Sequence, residues 1–157
     1  EALGYYPELI RAARRLNNSL ADYVSQKTID LLAISGVSVV DSRIGVLGMT
    51  FKENVSDLRN SQSPVIVNEL KKYGGKVFAH DPYISESSFL ESHGIDLTGW
   101  QDLRDLDALL VIVPHDFYIR ENREAIFETI KTDGIFIDVK SAFDRTLLLG
   151  EQKYWSL

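Results

Sequence analysis

The stretch Arg43-Ile44-Gly45-Val46-Leu47-Gly48-Met49-Thr50-Phe51-Lys52-Glu53-Asn54-Val55-Ser56-Asp57-Leu58-Arg59-Asn60-Ser61-Gln62-Ser63-Pro64 sets an apolar strand, a glycine turn and a long charged loop in front of a helix. Residues 43–47 have the composition of a buried strand, and Gly48 can turn the backbone without a Cβ penalty. Ser63-Pro64 reads as an N-cap followed by proline at the first helical position. Between them Lys52 and Arg59 are cations suited to a carboxylate or a phosphate. In α/β proteins a strand that ends in such a loop is where ligands bind.

Outward from this loop, strands and helices alternate from Asp41 on, the pattern of a parallel sheet with helices on both faces. The expectation is an α/β, Rossmann-like fold with strands near 43–47, 76–80, 108–113 and 135–138, a short one at 95–97 and an edge strand at 153–157. The continuous apolar run 108–113 marks a central strand, ended by Pro114. Helices are expected over 64–73, stopped by Gly74-Gly75, over 85–92 and over 121–131. Before the sheet, apolar residues at Leu9, Ala13, Leu16, Leu20, Val24 and Leu31 recur at helical spacing and predict a long N-terminal helix from Pro7 to about Ser35, ended by Gly36. At 1.5 Å per residue it would be about 42 Å long, more than a small domain covers, so part of its stripe is expected to meet another chain or a further domain.

The 157 residues, 45% apolar and 25% charged, allow one ordinary core plus an arm. A net charge of −6 argues against nucleic acid as a partner and leaves any anionic ligand to a few placed cations. No apolar run reaches the roughly 18 to 20 residues that span a bilayer, and no signal peptide is recognisable, so the chain reads as cytoplasmic with no membrane partner. Without cysteine there is neither disulfide nor thiolate, and His80, His93 and His115 are too dispersed for a zinc cluster, so no metal is expected. The chain begins at Glu1 and its only methionine is Met49, which reads as a piece of something longer.

Strand, glycine turn, helix and a second strand ending in Asp81 invite a dinucleotide-binding reading, but the spacing opposes it. Met49 to Lys52 stand where further glycines belong, and Asp81 lies 33 residues beyond Gly48, where about 20 is usual. What remains is a Rossmann-like topology whose enlarged first loop could hold a mononucleotide or a sugar diphosphate.

Gly48-Met49-Thr50-Phe51-Lys52, then Asp57-Leu58-Arg59-Asn60-Ser61 and Ser63-Pro64, resemble the signature of the C-terminal, UDP-binding domain of the UDP-glucose/GDP-mannose dehydrogenase family. In tone the sequence is closest to the bacterial UDP-N-acetylhexosamine 6-dehydrogenases. The resemblance implies that residues 1–38 form the central helix through which such enzymes make homodimers, and that 39–157 form the UDP-sugar-binding domain. It further implies a parent enzyme that uses NAD to oxidise a UDP-N-acetylhexosamine to the uronic acid, for capsule or O-antigen precursors. The NAD domain and the catalytic cysteine would lie upstream, so this chain alone is expected to be inactive.

By position, Phe51 and Lys52 match the family's pair at the sugar and uridine, and Lys140 a basic residue near the substrate. Arg59 matches an arginine directed at NAD held by the other domain, and Arg11 or Arg14 one that reaches across the dimer. Each has a plainer reading: Lys52 as a solvated lysine, Phe51 packed on the core, Arg59 paired with Asp57, Arg11 on a solvated helix face. Asp81 reads as a turn cap, and His80 and His115 as ordinary loop residues. A non-catalytic nucleotide-binding or regulatory module, or an assembly domain built on the long helix, would share the same features.

Overall fold

The structure, a computed structural model, describes residues 8–157, and the side chains at 19–85 and 89–157. Five strands, β1 (Arg43–Leu47), β2 (Lys76–His80), β3 (Leu106–Val111), β4 (Ile130–Asp138) and β5 (Lys153–Ser156), form one sheet in the order β2-β1-β3-β4-β5. Every pairing is parallel. The helices are α1 (Glu8–Ile34), α2 (Ser63–Lys72), α3 (Glu86–His93) and α4 (Ala125–Glu128). The chain leaves β1 towards β2 and returns past it to β3, so the strand order reverses between β1 and β3. At such a switch point the carboxyl ends of the two strands open a crevice.

Alternation along the central strands divides the core. Ile44 and Val46 of β1, with Ala108 and Leu110 of β3, pack with Ala21, Val24 and Leu32 of α1 and Ile66, Val67 and Leu70 of α2. Leu47, Leu109, Val111 and Phe136 instead meet Tyr118, Ile126 and Phe127. The α/β expectation with helices on both faces therefore holds.

Three boundaries differ from the sequence reading. β3 starts at Leu106 rather than 108, because the Asp107 carboxylate is satisfied within the sheet margin: it accepts from the Arg43 N–H at 2.8 Å and pairs with Lys131 Nζ at 2.6 Å. The helix expected over 121–131 is a π-helical turn, Phe117–Glu121, then the one-turn α4, after which β4 already begins at Ile130. Its carbonyls are taken elsewhere, since the buried Gln152 amide donates to Phe127, Ile130 and Lys131 oxygens. Over 95–97 only a single bridge forms, Ala79 to Leu97.

Where β1 ends, the Leu47 carbonyl accepts from Ile112 N–H at 2.9 Å and Gly48 N–H donates to His80 O at 3.0 Å, so β1 is bonded to both neighbours up to the turn. Gly48 takes φ +83°, and a Cβ there would stand 2.5 Å from Val113 O. Gly48→Ala should therefore cost at least about 2 kcal/mol by urea unfolding, since backbone has to move. Gly36→Ala, at φ +76° with open space around it, should lose only about 1 kcal/mol.

Candidate functional site

A cavity of about 450 Å³ lies over the carboxyl ends of β1, β3 and β4. Thr50, Phe51 and Lys52 enter it from the loop after β1, residues 60–63 from the approach to α2, Ile112 and Val113 from beyond β3, and Val139 and Lys140 from beyond β4. Leu20 of α1 and Leu157 close its rim. The N-terminal end of α2 opens on this space, so the positive end of its dipole favours an anion there. Ser63 is not the N-cap: that position belongs to Gln62, and the Ser63 hydroxyl donates to the Gly48 carbonyl at 2.6 Å. Ser61 Oγ likewise donates to Thr50 O at 3.3 Å, so two hydroxyls at the end of the loop fasten it to its beginning.

Of the residues singled out from sequence, Phe51, Lys52 and Lys140 come together here. The Phe51 ring is 51% exposed, and its N–H donates to Asp57 O at 2.7 Å, so it fronts the cavity instead of packing on the core. Lys52 makes no ion pair among the described residues. Lys140 is paired with Glu53, a contact that holds the Glu53 carboxyl below its ordinary range. Arg59 lies apart from the cavity lining, exposed, with Nε 3.0 Å and Nη2 2.7 Å from the two Asp57 oxygens. That guanidinium lowers the Asp57 carboxyl to about 2. The Arg11 side chain falls outside the described residues.

Behind the loop sits a buried polar cluster that the sequence reading passed over. Asp81, just past β2, accepts from Met49 N–H at 2.7 Å and Thr50 N–H at 3.1 Å through Oδ2, and from Tyr83 N–H at 2.8 Å through Oδ1. The turn-cap role expected for it is present but secondary. His115, beyond β3, places Nε2 3.0 Å from Asp81 Oδ2 and 3.1 Å from Thr50 Oγ1, while its Nδ1 accepts from Asn54 N–H at 2.9 Å. The Asp81 and His115 side chains are both fully buried. Burial works against the Asp81 carboxylate, yet the bonds from His115, Tyr83 and Met49 outweigh it and keep its pKa below the ordinary value. His80 Nδ1 lies 2.8 Å from the Tyr118 hydroxyl, which donates to His80 O at 3.0 Å. Burial pushes the His80 imidazole down to about 4 and the Tyr118 phenol well up. So neither His80 nor His115 is an ordinary loop residue; the available signal was their place, directly at the ends of β2 and β3.

The same cluster decides whether a dinucleotide fits this loop. The Met49 and Thr50 amides, which would otherwise face a pyrophosphate, are already taken by the Asp81 carboxylate. NAD does not fit here in the standard manner. Among the described residues no acid, histidine or cysteine group of three or more could hold a metal, and no helix is long and apolar enough to cross a membrane.

Residues 45–145 match the UDP-glucose/GDP-mannose dehydrogenase family, UDP binding domain. Over all 157 residues the chain is 35% identical to the protein CapL of Staphylococcus aureus, of which it covers 37%. It is 35% identical over 140 residues, 89% of its length, to a UDP-N-acetyl-D-glucosamine 6-dehydrogenase of Salmonella typhi, covering 33% of that protein. Among solved structures, an NDP-N-acetyl-D-galactosaminuronic acid dehydrogenase from Methanosarcina mazei Go1 superposes with a TM-score of 0.81 at 22% identity, over 97% of this chain and 33% of that one. The chain thus spans about a third of the length of the curated relatives it matches.

The buried imidazole next to the loop gives the fold a pH dependence of known sign. His80 titrates at about 4 when folded and near the ordinary imidazole value of 6.5 when unfolded, so between these the unfolded state binds the extra proton. Stability should be full above pH 6.5 and fall on acidification towards pH 4, by on the order of 3 kcal/mol. Urea midpoints measured across that window should show this slope, and His80→Asn should flatten it.

Proposed function

Because the chain belongs to the UDP-glucose/GDP-mannose dehydrogenase family, we propose that it is the UDP-sugar-binding portion of an NAD-dependent dehydrogenase that oxidises a UDP-N-acetylhexosamine to its uronic acid. One observation carries this reading: Lys52, which makes no ion pair among the described residues, the exposed Phe51 ring and the N-terminal end of α2 converge on one cavity at the switch point of the sheet. The cation and the helix dipole suit a diphosphate, and the ring offers an apolar face to the uracil or the sugar. Lys140, already engaged by Glu53, serves as the secondary cation.

The N-acetylhexosamine is favoured over plain hexose by the Salmonella typhi relative, which carries that substrate in its name. NAD belongs to a part of the longer protein other than this loop, with Arg59 directed at it from outside the cavity. The reading includes residues 1–38 as the helix of a homodimer, Arg11 reaching the neighbour's substrate, and 39–157 as the nucleotide-sugar domain. With no cysteine in the chain, its contribution is to bind and orient. Oxidation of the hexose C6 falls to groups carried elsewhere.

Calorimetric titration tests this directly. UDP should bind and NAD should not; tight NAD binding without any response to UDP would overturn the assignment. Lys52→Ala should weaken UDP binding about tenfold and leave the unfolding midpoint within about 0.5 kcal/mol of the parent chain. Lys140→Ala should weaken it only about two- to threefold, because its charge is already shared with Glu53.

A further inference from the structure

We propose that His115 is a positioning residue for the ligand loop, fixing through Thr50 and Asn54 the backbone that carries Lys52; this rests on the cavity being the nucleotide-sugar site. The loop segment 49–54 is held from outside by two buried side chains that follow the strands on either side of β1. Asp81, from the end of β2, takes the N–H groups of Met49 and Thr50. His115, from the end of β3, takes the N–H of Asn54 on Nδ1. With Nδ1 accepting, the ring proton sits on Nε2, shared between Asp81 Oδ2 and Thr50 Oγ1.

Thr50 then passes the constraint onward. Its oxygen faces the Nε2 proton, so its own hydroxyl hydrogen is directed to the Lys52 carbonyl, 3.1 Å away. The result is one continuous chain of bonds from a buried carboxylate to the peptide of Lys52. At the far end Asn54 adopts φ +59°, and its side-chain oxygen accepts from Asp116 N–H at 2.8 Å and Tyr83 O–H at 3.3 Å. Lys52 therefore stands between two fixed points, each held by a buried side chain from outside its own loop. A merely structural histidine would need none of these contacts to converge on the two residues flanking the lysine.

Two substitutions separate the two ring nitrogens. His115→Gln carries an amide near the place of Nε2 and can still donate to Asp81, but leaves the Asn54 N–H without an acceptor. His115→Asn puts an acceptor near the place of Nδ1 and leaves Asp81 without its donor. In the full chain, His115→Gln should speed amide hydrogen exchange at Glu53 and Asn54 about tenfold, with β3 amides unchanged, and weaken UDP binding about tenfold. His115→Asn should keep Asn54 exchange within about threefold of the parent chain but, with the Nε2 arm to Thr50 gone, weaken UDP binding about tenfold, and unchanged affinity in it would overturn the proposal. Because His115 acts through Lys52, the double variant with Lys52→Ala should bind UDP no more weakly than Lys52→Ala alone.

Losses that multiply in the double variant would overturn the proposal, as would faster Asn54 exchange with unchanged affinity. Should the unaltered chain not bind UDP, the reading of the cavity fails while exchange still judges the clasp: faster Asn54 exchange in His115→Gln upholds it, unchanged exchange sinks it. If His115→Gln does not fold, Thr50→Val, which removes only the relay hydroxyl, should weaken UDP binding with Asn54 exchange unchanged, and unchanged affinity overturns the proposal.

Discussion

A carboxylate buried at the end of a β-strand has to be surrounded by donors, and the loop that gives this protein its site is folded around one. Asp81 is removed from water, and leaving such a charge unpaired would cost several kcal/mol. Two loop amides, one turn amide and an imidazole supply the donors. The long segment between β1 and α2 has no regular structure, yet this internal anion and the serine hydroxyls leave its first turn little freedom. In a dinucleotide-binding fold the corresponding amides wait for a phosphate. Here the protein provides the anion itself, and on the function proposed above the ligand site is displaced outward, to the side chains the turn presents.

That displacement explains the charge arrangement of the cavity. In a chain of net charge −6 an anionic ligand can rely only on local groups, and of the two lysines at the cavity one is bound to Glu53. Lys52 and the α2 terminus remain, which is a modest positive field in a mostly apolar hollow. Such a site holds an anion by placement more than by quantity of charge. Placement in turn requires a backbone that does not wander, so the buried cluster and the exposed lysine are two halves of one device.

Much of this was legible in the sequence, and the limits follow from physics. The apolar run 43–47, Gly48 and Pro64 located the strand, turn and helix because each acts through its own backbone. The choice of Phe51, Lys52 and Lys140 came from the resemblance, helped for Lys140 by its place just past a strand, and all three line one cavity. Local pattern failed where distant groups decided: Gln152 diverts the carbonyls that a helix over 121–131 would have used, and Asp107 extends β3 by satisfying Arg43 and Lys131. Asp81 and His115 were visible as residues, but their partners in the loop lie 31 to 65 positions away, and no spacing rule joins them. Ser63 looked like a cap and proved to be a clamp on Gly48, because a hydroxyl takes whichever buried acceptor the tertiary fold brings to it.

The rim of the cavity adds a last step. Leu20 of α1 lines it on one side and Leu157 on another, and α1 is joined to the end of the chain: Tyr23 lies 6.2 Å from Trp155, Lys27 stands over the same ring, and Lys153 Nζ is 2.8 Å from Ser35 Oγ. The helix is thus fastened to the edge strand β5 as well as packed on the sheet. Exposed Phe51 and Leu157 border a hollow whose floor is made by the strand ends and whose wall is made by α1. Apolar rings and side chains left open at the edge of a polar crevice gain from being covered, at about 25 cal/mol per Å² of apolar surface removed from water. A ligand with an anionic centre and a flat, partly apolar end satisfies both demands at once, and inorganic phosphate alone satisfies only the first.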